Sequence, residues 1–199
     1  NLKLKELATQ ASLSLSPTQV ELGEQYISLV LKWNKTRNLV SRNCSKKDLI
    51  EYFVDSAILS KHLQPGKIVD LGSGAGFPGL CLAVMNPHTE INLIDSNIKK
   101  TAFLIHAKNE LGLTSVSVEN SRVEDIPKIS DENIVCRAFK EPINLLNCLV
   151  DKIGPRTKIW VMVSSNQIER IPNFKTDYRT SEISKVIRKK RGFLEIQMT

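Results

Sequence analysis

No apolar run in the 199 residues approaches the roughly 18 that a membrane-crossing helix needs, so the hydrophobic residues belong to a core. The first residues also lack the charged-then-apolar order of an export signal, and a cytoplasmic protein with no membrane association is expected. Cysteine is sparse. Cys44, Cys81, Cys136 and Cys148 form no Cys-x-x-Cys pair and two of them lie inside apolar runs, which reads as reduced, mostly buried thiols. Disulfides and zinc are not expected. The three histidines, His62, His88 and His106, stand at no ligand spacing, so no metal site and no histidine-centred catalytic set is expected either. There is no internal repeat and no low-complexity tract. At this length, with 41% apolar residues, one sizeable core with an appendage is the expectation.

What is present in excess is positive charge, and it is concentrated. The formal net charge is +7, yet between Lys152 and Arg191 there are 11 basic residues against 3 acids, a net of +8. The remainder of the chain is nearly neutral. Such a segment suits a polyanion such as RNA, whose neutralised phosphates release counterions and make binding salt-sensitive, although a solvated surface would have the same composition.

Three regions differ in hydrophobic period. From Leu2 to about Leu63 the pattern is helical: Ser16-Pro17 reads as a cap and a first-turn proline, and Val20, Tyr26, Ile27, Val30, Leu31 and Trp33 suit one apolar face. A second helical stretch runs from about Lys46 to Lys61, and Gln64-Pro65-Gly66 then breaks the pattern. An N-terminal helical extension over 1–64 and a main domain over 65–199 follow. From Lys67 to about Val163, strands near Ile68 to Leu71, Ile91 to Asp95, Ser115 to Val118, Ile134 to Arg137 and Ile159 to Val163 alternate with helical stretches, one of them from Asn97 to Leu111. That alternation predicts an α/β fold with a doubly wound, mostly parallel sheet. Tyr178 to Ile187 and Phe193 to Met198 read as a terminal strand pair joined by a basic turn.

The most informative stretch is Lys67-Ile-Val-Asp70-Leu-Gly72-Ser-Gly74-Ala-Gly76-Phe77-Pro78-Gly79, with Asp95 ending the next strand. A strand, a glycine turn opening a helix, and an acid at the end of the second strand form a nucleoside-binding arrangement. The glycines run Gly-x-Gly-x-Gly, a variant that lets backbone pack against an adenosyl and methionyl group, which points to S-adenosylmethionine. Gly72, Gly74 and Gly76 would let the turn approach the ligand without Cβ clashes. Asp95 would accept from the two ribose hydroxyls, although Asp95-Ser96-Asn97 also precedes a helix and any of the three could cap it.

Ser121-Arg122-Val123-Glu124 follows the third strand, where an adenine edge lies in such folds, and Arg137 ends the fourth strand at the ligand-binding edge. Trp33 reads as a core anchor of the N-terminal helices.

Trp33-Asn34-Lys35-x-x-Asn38-Leu39, Asp55-Ser56, Asp70 to Gly79, Leu93 to Ser96, Lys99-Lys100, Ser121 to Glu124 and Arg137-Ala138-Phe139 together resemble the glucose-inhibited division protein B family. These are bacterial methyltransferases acting on a guanine N7 of 16S ribosomal RNA. The resemblance runs in order from about residue 30 to 140, and it implies a class I, Rossmann-like methyltransferase. It also implies that Gly72, Phe77, Val123, Glu124 and Arg137 contact S-adenosylmethionine, and that Arg122, Arg137 and Arg191 are candidates for the RNA or the target guanine. Arg122 and Arg137 are thus the catalytic candidates, and Arg188, Lys189, Lys190 and Arg191 the RNA-binding ones. The substrate would be 16S ribosomal RNA or the small ribosomal subunit, met by a monomer. Three positions depart from the family pattern: Val163-Ser164 stands where Lys-Gly is usual, Tyr52 where histidine is usual, and Val40 where threonine is common. Rival readings are a class I methyltransferase with a protein or small-molecule acceptor, an RNA-binding protein with a vestigial pocket, and, more remotely, a nicotinamide dehydrogenase.

Overall fold

The computed structural model describes residues 3–129, 133–137, 142–164, 178–183 and 191–198. Three helices come first: α1 (Leu4–Gln10), α2 (Pro17–Arg37) and α3 (Lys46–Leu59). Ser16 caps α2 as its sequence implies: its hydroxyl accepts from the Gln19 N–H, the Gln19 side chain accepts from the Ser16 N–H, and Pro17 occupies the first turn. Ser45 and Asp48 cap α3 in the same reciprocal way. The helical reading of the N-terminal region did not separate α1 as an element of its own; with 7 residues, α1 owes its helicity to burial of Leu4, Leu7 and Ala8.

Then β1 (Ile68–Leu71), α4 (Gly79–Met85), β2 (Ile91–Ile94), α5 (Ile98–Glu110), β3 (Val116–Glu119), β4 (Asn133–Arg137), α6 (Pro142–Leu149) and β5 (Lys158–Ser164) alternate, followed by β6 (Tyr178–Ile183) and β7 (Arg191–Met198). The seven strands form one sheet in the order β3-β2-β1-β4-β5-β7-β6. The first five are parallel, and β7 runs antiparallel between β5 and β6. All four residues of β1 are buried, as a central parallel strand covered on both faces requires.

Alternation along the strands sends side chains into two cores. Ile68, Ile91, Leu93, Val116, Val135 and Trp160 face α1 to α5. Val69, Leu71, Ile94, Ile134, Cys136 and Ile159 face α6 and the segment around Val123, Ile126 and Ile129. The N-terminal helices therefore share a core with α4 and α5, where Trp33 packs its ring on Phe103 and His106 at 5.5 and 5.0 Å between centroids. Val163, at the position where lysine is usual in the family it resembles, is 4% exposed in the second core, within β5 as the sequence pattern places it.

Candidate functional site

The functional side chains gather at the carboxyl edge of the parallel strands. After β1, Gly72, Gly74 and Gly76 adopt φ of 67°, 58° and 93°, left-handed backbone that side chains other than glycine resist. The turn binds itself into the protein. Gly72 and Ser73 donate their N–H groups to the Ile94 carbonyl at 2.8 and 3.0 Å, Gly74 donates to Asp95 Oδ2 at 2.9 Å, and Gly76 donates to the Ser73 carbonyl at 2.7 Å. Amides spent in this way do not cradle a pyrophosphate, which needs free N–H groups pointing at it. The turn therefore suits a ligand that packs against it, and the nicotinamide dehydrogenase reading loses its ground.

The glycines divide by what lies against them. A Cβ on Gly74 would meet nothing nearer than the Gly72 carbonyl at 3.7 Å and Lys100 Nζ at 4.0 Å. A Cβ on Gly76 would press into Leu80 and the Tyr26 hydroxyl, and one on Gly79 into Leu93 and the Asp70 carboxylate. Gly76 is a glycine because the protein packs there, and it lines neither of the two cavities beside the turn.

Those cavities meet at Gly72. One, of about 270 Å³, is lined by Leu71, Gly72, Ile94, Asp95, Ser96, Ser121, Arg122, Val123 and Glu124. The other, of about 300 Å³, is lined by Gly72, Ser73, Gly74, Ala75, Phe77, Lys100 and Arg137, and by Leu39, Val40, Ser41, Cys44 and Tyr52 of the N-terminal helical region. The expected residues thus fall into two groups: Asp95, Arg122, Val123 and Glu124 on one side, Gly74, Phe77 and Arg137 on the other. Asp95 is 7% exposed and holds the Gly74 N–H on one oxygen and the Asn97 N–H, at 2.8 Å, on the other. Asn97 is the residue that caps α5. Each carboxylate oxygen keeps a further accepting direction, so Asp95 can take ribose hydroxyls while it fixes the turn.

Asp70 lies beneath the turn, fully buried. Its Oδ2 accepts the Gly79 N–H at 3.0 Å, and its Oδ1 has no hydrogen-bond partner among the described residues. Burial pushes its carboxyl up to about 7, against the opposing effect of the Gly79 N–H. Tyr26 donates its hydroxyl to the Ala75 carbonyl at 2.6 Å, pinning the turn to α2, and burial raises its phenol well above the usual range. Burial, with Asp48 nearby, also raises the thiol of Cys44, which lines the second cavity.

Arg137 lays its guanidinium over the Tyr52 ring, with 3.3 Å from Cζ to the centroid. Neither Tyr52 nor Lys100 is singled out as a site residue by local spacing; they enter only as neighbours in a resemblance, because α3, α5 and β4 meet at this cavity only after folding. Of the basic turn, Arg188, Lys189 and Lys190 lie outside the described residues, and Arg191 opens β7 opposite Ser164, at the same edge of the sheet as Arg137.

The profile of the family described as rRNA small subunit methyltransferase G matches residues 19–193. A ribosomal RNA small subunit methyltransferase G of Hydrogenovibrio crunogenus is 35% identical over 153 residues, which cover 75% of this chain and 71% of that protein. The chain belongs to the rRNA small subunit methyltransferase G family. It is an enzyme of the methyltransferase class, and its fold agrees: a methyltransferase of Geobacter sulfurreducens superposes with a TM-score of 0.63 at 14% identity, covering 100% of this chain and 98% of that one. A SAM dependent methyltransferase of Aquifex aeolicus gives 0.56 at 18% identity, covering 86% and 97%. Among the described residues no helix is long and apolar enough to cross a membrane.

Proposed function

We propose that the protein transfers the methyl group of S-adenosylmethionine to N7 of a guanine in 16S ribosomal RNA, acting as a cytoplasmic monomer on the RNA or the small ribosomal subunit. The observation that carries the cofactor assignment is the glycine turn with its amides spent internally, set between two cavities that meet at Gly72. An elongated ligand with a nucleoside at one end and an amino acid at the other fits that division. Asp95 would accept the ribose hydroxyls, and the backbone of Val123 and Glu124 would border the adenine. Gly74 would leave room for the sulfonium end, and Arg137 would grip the carboxylate with its paired N–H groups.

When bound, S-adenosylmethionine supplies an electrophilic methyl group. The protein's share is alignment and exclusion of water, because guanine N7 carries a free lone pair and no proton has to leave the attacking atom. The residues agree with that division of labour. Asp70, with a carboxyl pushed up to about 7, lies under the turn and lines neither cavity, and the Cys44 thiol is shifted upward by burial. Arg122, exposed at the rim of the first cavity, and Arg191, at the same sheet edge, would meet RNA phosphates or the target nucleotide. A base stacked inside a helix is poorly accessible, so the target would sit in a loop or be splayed out.

The test is methyl transfer from labelled S-adenosylmethionine to small ribosomal subunits and to naked 16S RNA, followed by borohydride and aniline cleavage at 7-methylguanine. One labelled cut site supports the proposal and names the substrate state. Transfer without a cut moves the acceptor to another atom, and binding of S-adenosylmethionine with no transfer to either RNA refutes the acceptor.

A further inference from the structure

Arg137 ends β4 at the edge of the second cavity, and the ring beneath its guanidinium belongs to the half-buried Tyr52 of α3, between the buried Glu51 and Phe53. At 3.3 Å from Cζ to ring centroid the planar group lies flat on the ring, since an edge-on guanidinium would hold its carbon farther away. The stack does not stand alone. Phe77, from the end of the glycine turn, has its centroid 5.8 Å from the same carbon and 5.8 Å from the Tyr52 ring, and Tyr26 packs on Phe77 with 5.0 Å between centroids. Tyr26 in turn is tied to the turn through Ala75. A row of three rings thus joins the glycine turn to the arginine.

Stacking engages only the face of a guanidinium. Its five N–H donors lie in the plane and remain available to a ligand, whereas an arginine held by an ion pair would have part of its fork occupied. An unsupported arginine side chain also loses rotamer freedom when it grips a ligand, and one already laid on a ring has less to lose.

We propose that Tyr52 is a positioning residue: its ring face holds the Arg137 guanidinium flat, with the N–H fork presented to the carboxylate at the amino-acid end of S-adenosylmethionine. The inference rests on the S-adenosylmethionine site proposed above and not on the identity of the RNA acceptor. It assigns the chain's tyrosine, at a place where the family it resembles usually has histidine, to cofactor binding and not to filling space.

Calorimetric titration separates the two roles. S-adenosylhomocysteine carries the carboxylate and does not react, and 5′-methylthioadenosine has the same nucleoside without the amino acid. Tyr52→Leu, and Tyr52→Met as a variant closer in volume, should weaken S-adenosylhomocysteine about tenfold, the order of a desolvated cation–π contact. Tyr52→Phe, which keeps the ring face, should stay within about twofold of the native protein, and 5′-methylthioadenosine should bind all variants within about twofold. In an Arg137→Lys background, where there is no flat cation to support, Tyr52→Leu should add no more than about a twofold loss. Equal weakening of both ligands by Tyr52→Met, or equal losses in Tyr52→Phe and Tyr52→Met, overturns the proposal. Failure of the native protein to bind either nucleoside overturns the cofactor site itself, and failure of RNA methylation leaves the binding series intact, so each failure is read separately.

Discussion

Removing the Asp95 carboxylate takes away two kinds of contact at once, because the same oxygens that face the first cavity hold the N–H groups of Gly74 and Asn97. Asp95→Ala should weaken S-adenosylmethionine by about 1–3 kcal/mol, the cost of hydroxyls left unpaired, and should also lower the thermal midpoint without ligand. Calorimetry beside a melting curve checks both, and an unchanged midpoint would separate the turn from the carboxylate. Gly79→Ala acts through packing alone: its Cβ would collide with Leu93 and Asp70, so a loss of about 2 kcal/mol or more in urea unfolding is expected. Asp70 adds a pH dependence whose sign follows from its raised carboxyl. The folded protein binds that proton more tightly than the unfolded chain, so the associated stability is complete below about pH 4 and is lost as the pH rises through about 7. Asp70→Asn lacks this loss, and its stability relative to the native protein should therefore rise between about pH 4 and 7. Urea unfolding across that range measures it; parallel curves for the two proteins would contradict the assignment. The motif points to Asp95 as the ribose acceptor, but neither the packing at Gly79 nor the burial of Asp70 is legible in it. The Asp-x-Gly-x-Gly-x-Gly pattern announces a turn, but which glycine faces a ligand and which faces Leu80 or Asp70 depends on neighbours from α2, α4 and β2.

At the scale of elements, local sequence carried much further. Ser16-Pro17 and the reciprocal Gln19 contact begin α2 where the pattern places it, and Ser16→Ala should cost about 1 kcal/mol of stability, read as a shift in urea midpoint at unchanged slope. Strands β1, β2, β4 and β5 lie within a residue of their apolar runs at each end, because parallel strands buried on both faces read as continuous β-branched stretches. The misses have physical causes too. The strand β3 is displaced by one residue, to Val116–Glu119, since its outer face is half exposed and offers no sharp apolar edge. The first helix went unresolved because seven residues carry too little period, and its place is decided by burial of Leu4 and Leu7 against α2 and α3.

At the scale of the whole molecule, Arg191 and the candidate site lie at one edge of the sheet. The +8 segment contributes β5, β6 and the first residue of β7, Arg191, which pairs with Ser164 at the end of β5. Replacing Arg188, Lys189, Lys190 and Arg191 together by alanine should weaken binding to single-stranded ribosomal RNA and lower the slope of log affinity against log salt by roughly 3, while S-adenosylmethionine affinity stays as it was. A slope that does not move would take these four residues out of the RNA contact. Filter binding at several salt concentrations, with calorimetry for the cofactor, measures the two sides independently.

The order of strands and helices, the turn type, the acid after β2 and the concentration of charge follow from the sequence alone, because each depends on residues close together in the chain. Gly-x-Gly-x-Gly requires its backbone, Ser16 its cap, and an apolar run its burial, whatever else the chain does. The tertiary structure decided which of those residues share a cavity. It stacked Arg137 of β4 on Tyr52 of α3, set Lys100 of α5 beside Gly74, used the turn's amides on Ile94 and Asp95, and buried Asp70 with no partner among the described residues for one oxygen. These are contacts between residues tens of positions apart, and their energies depend on distance and dielectric that exist only once the sheet has brought its strand ends to one edge.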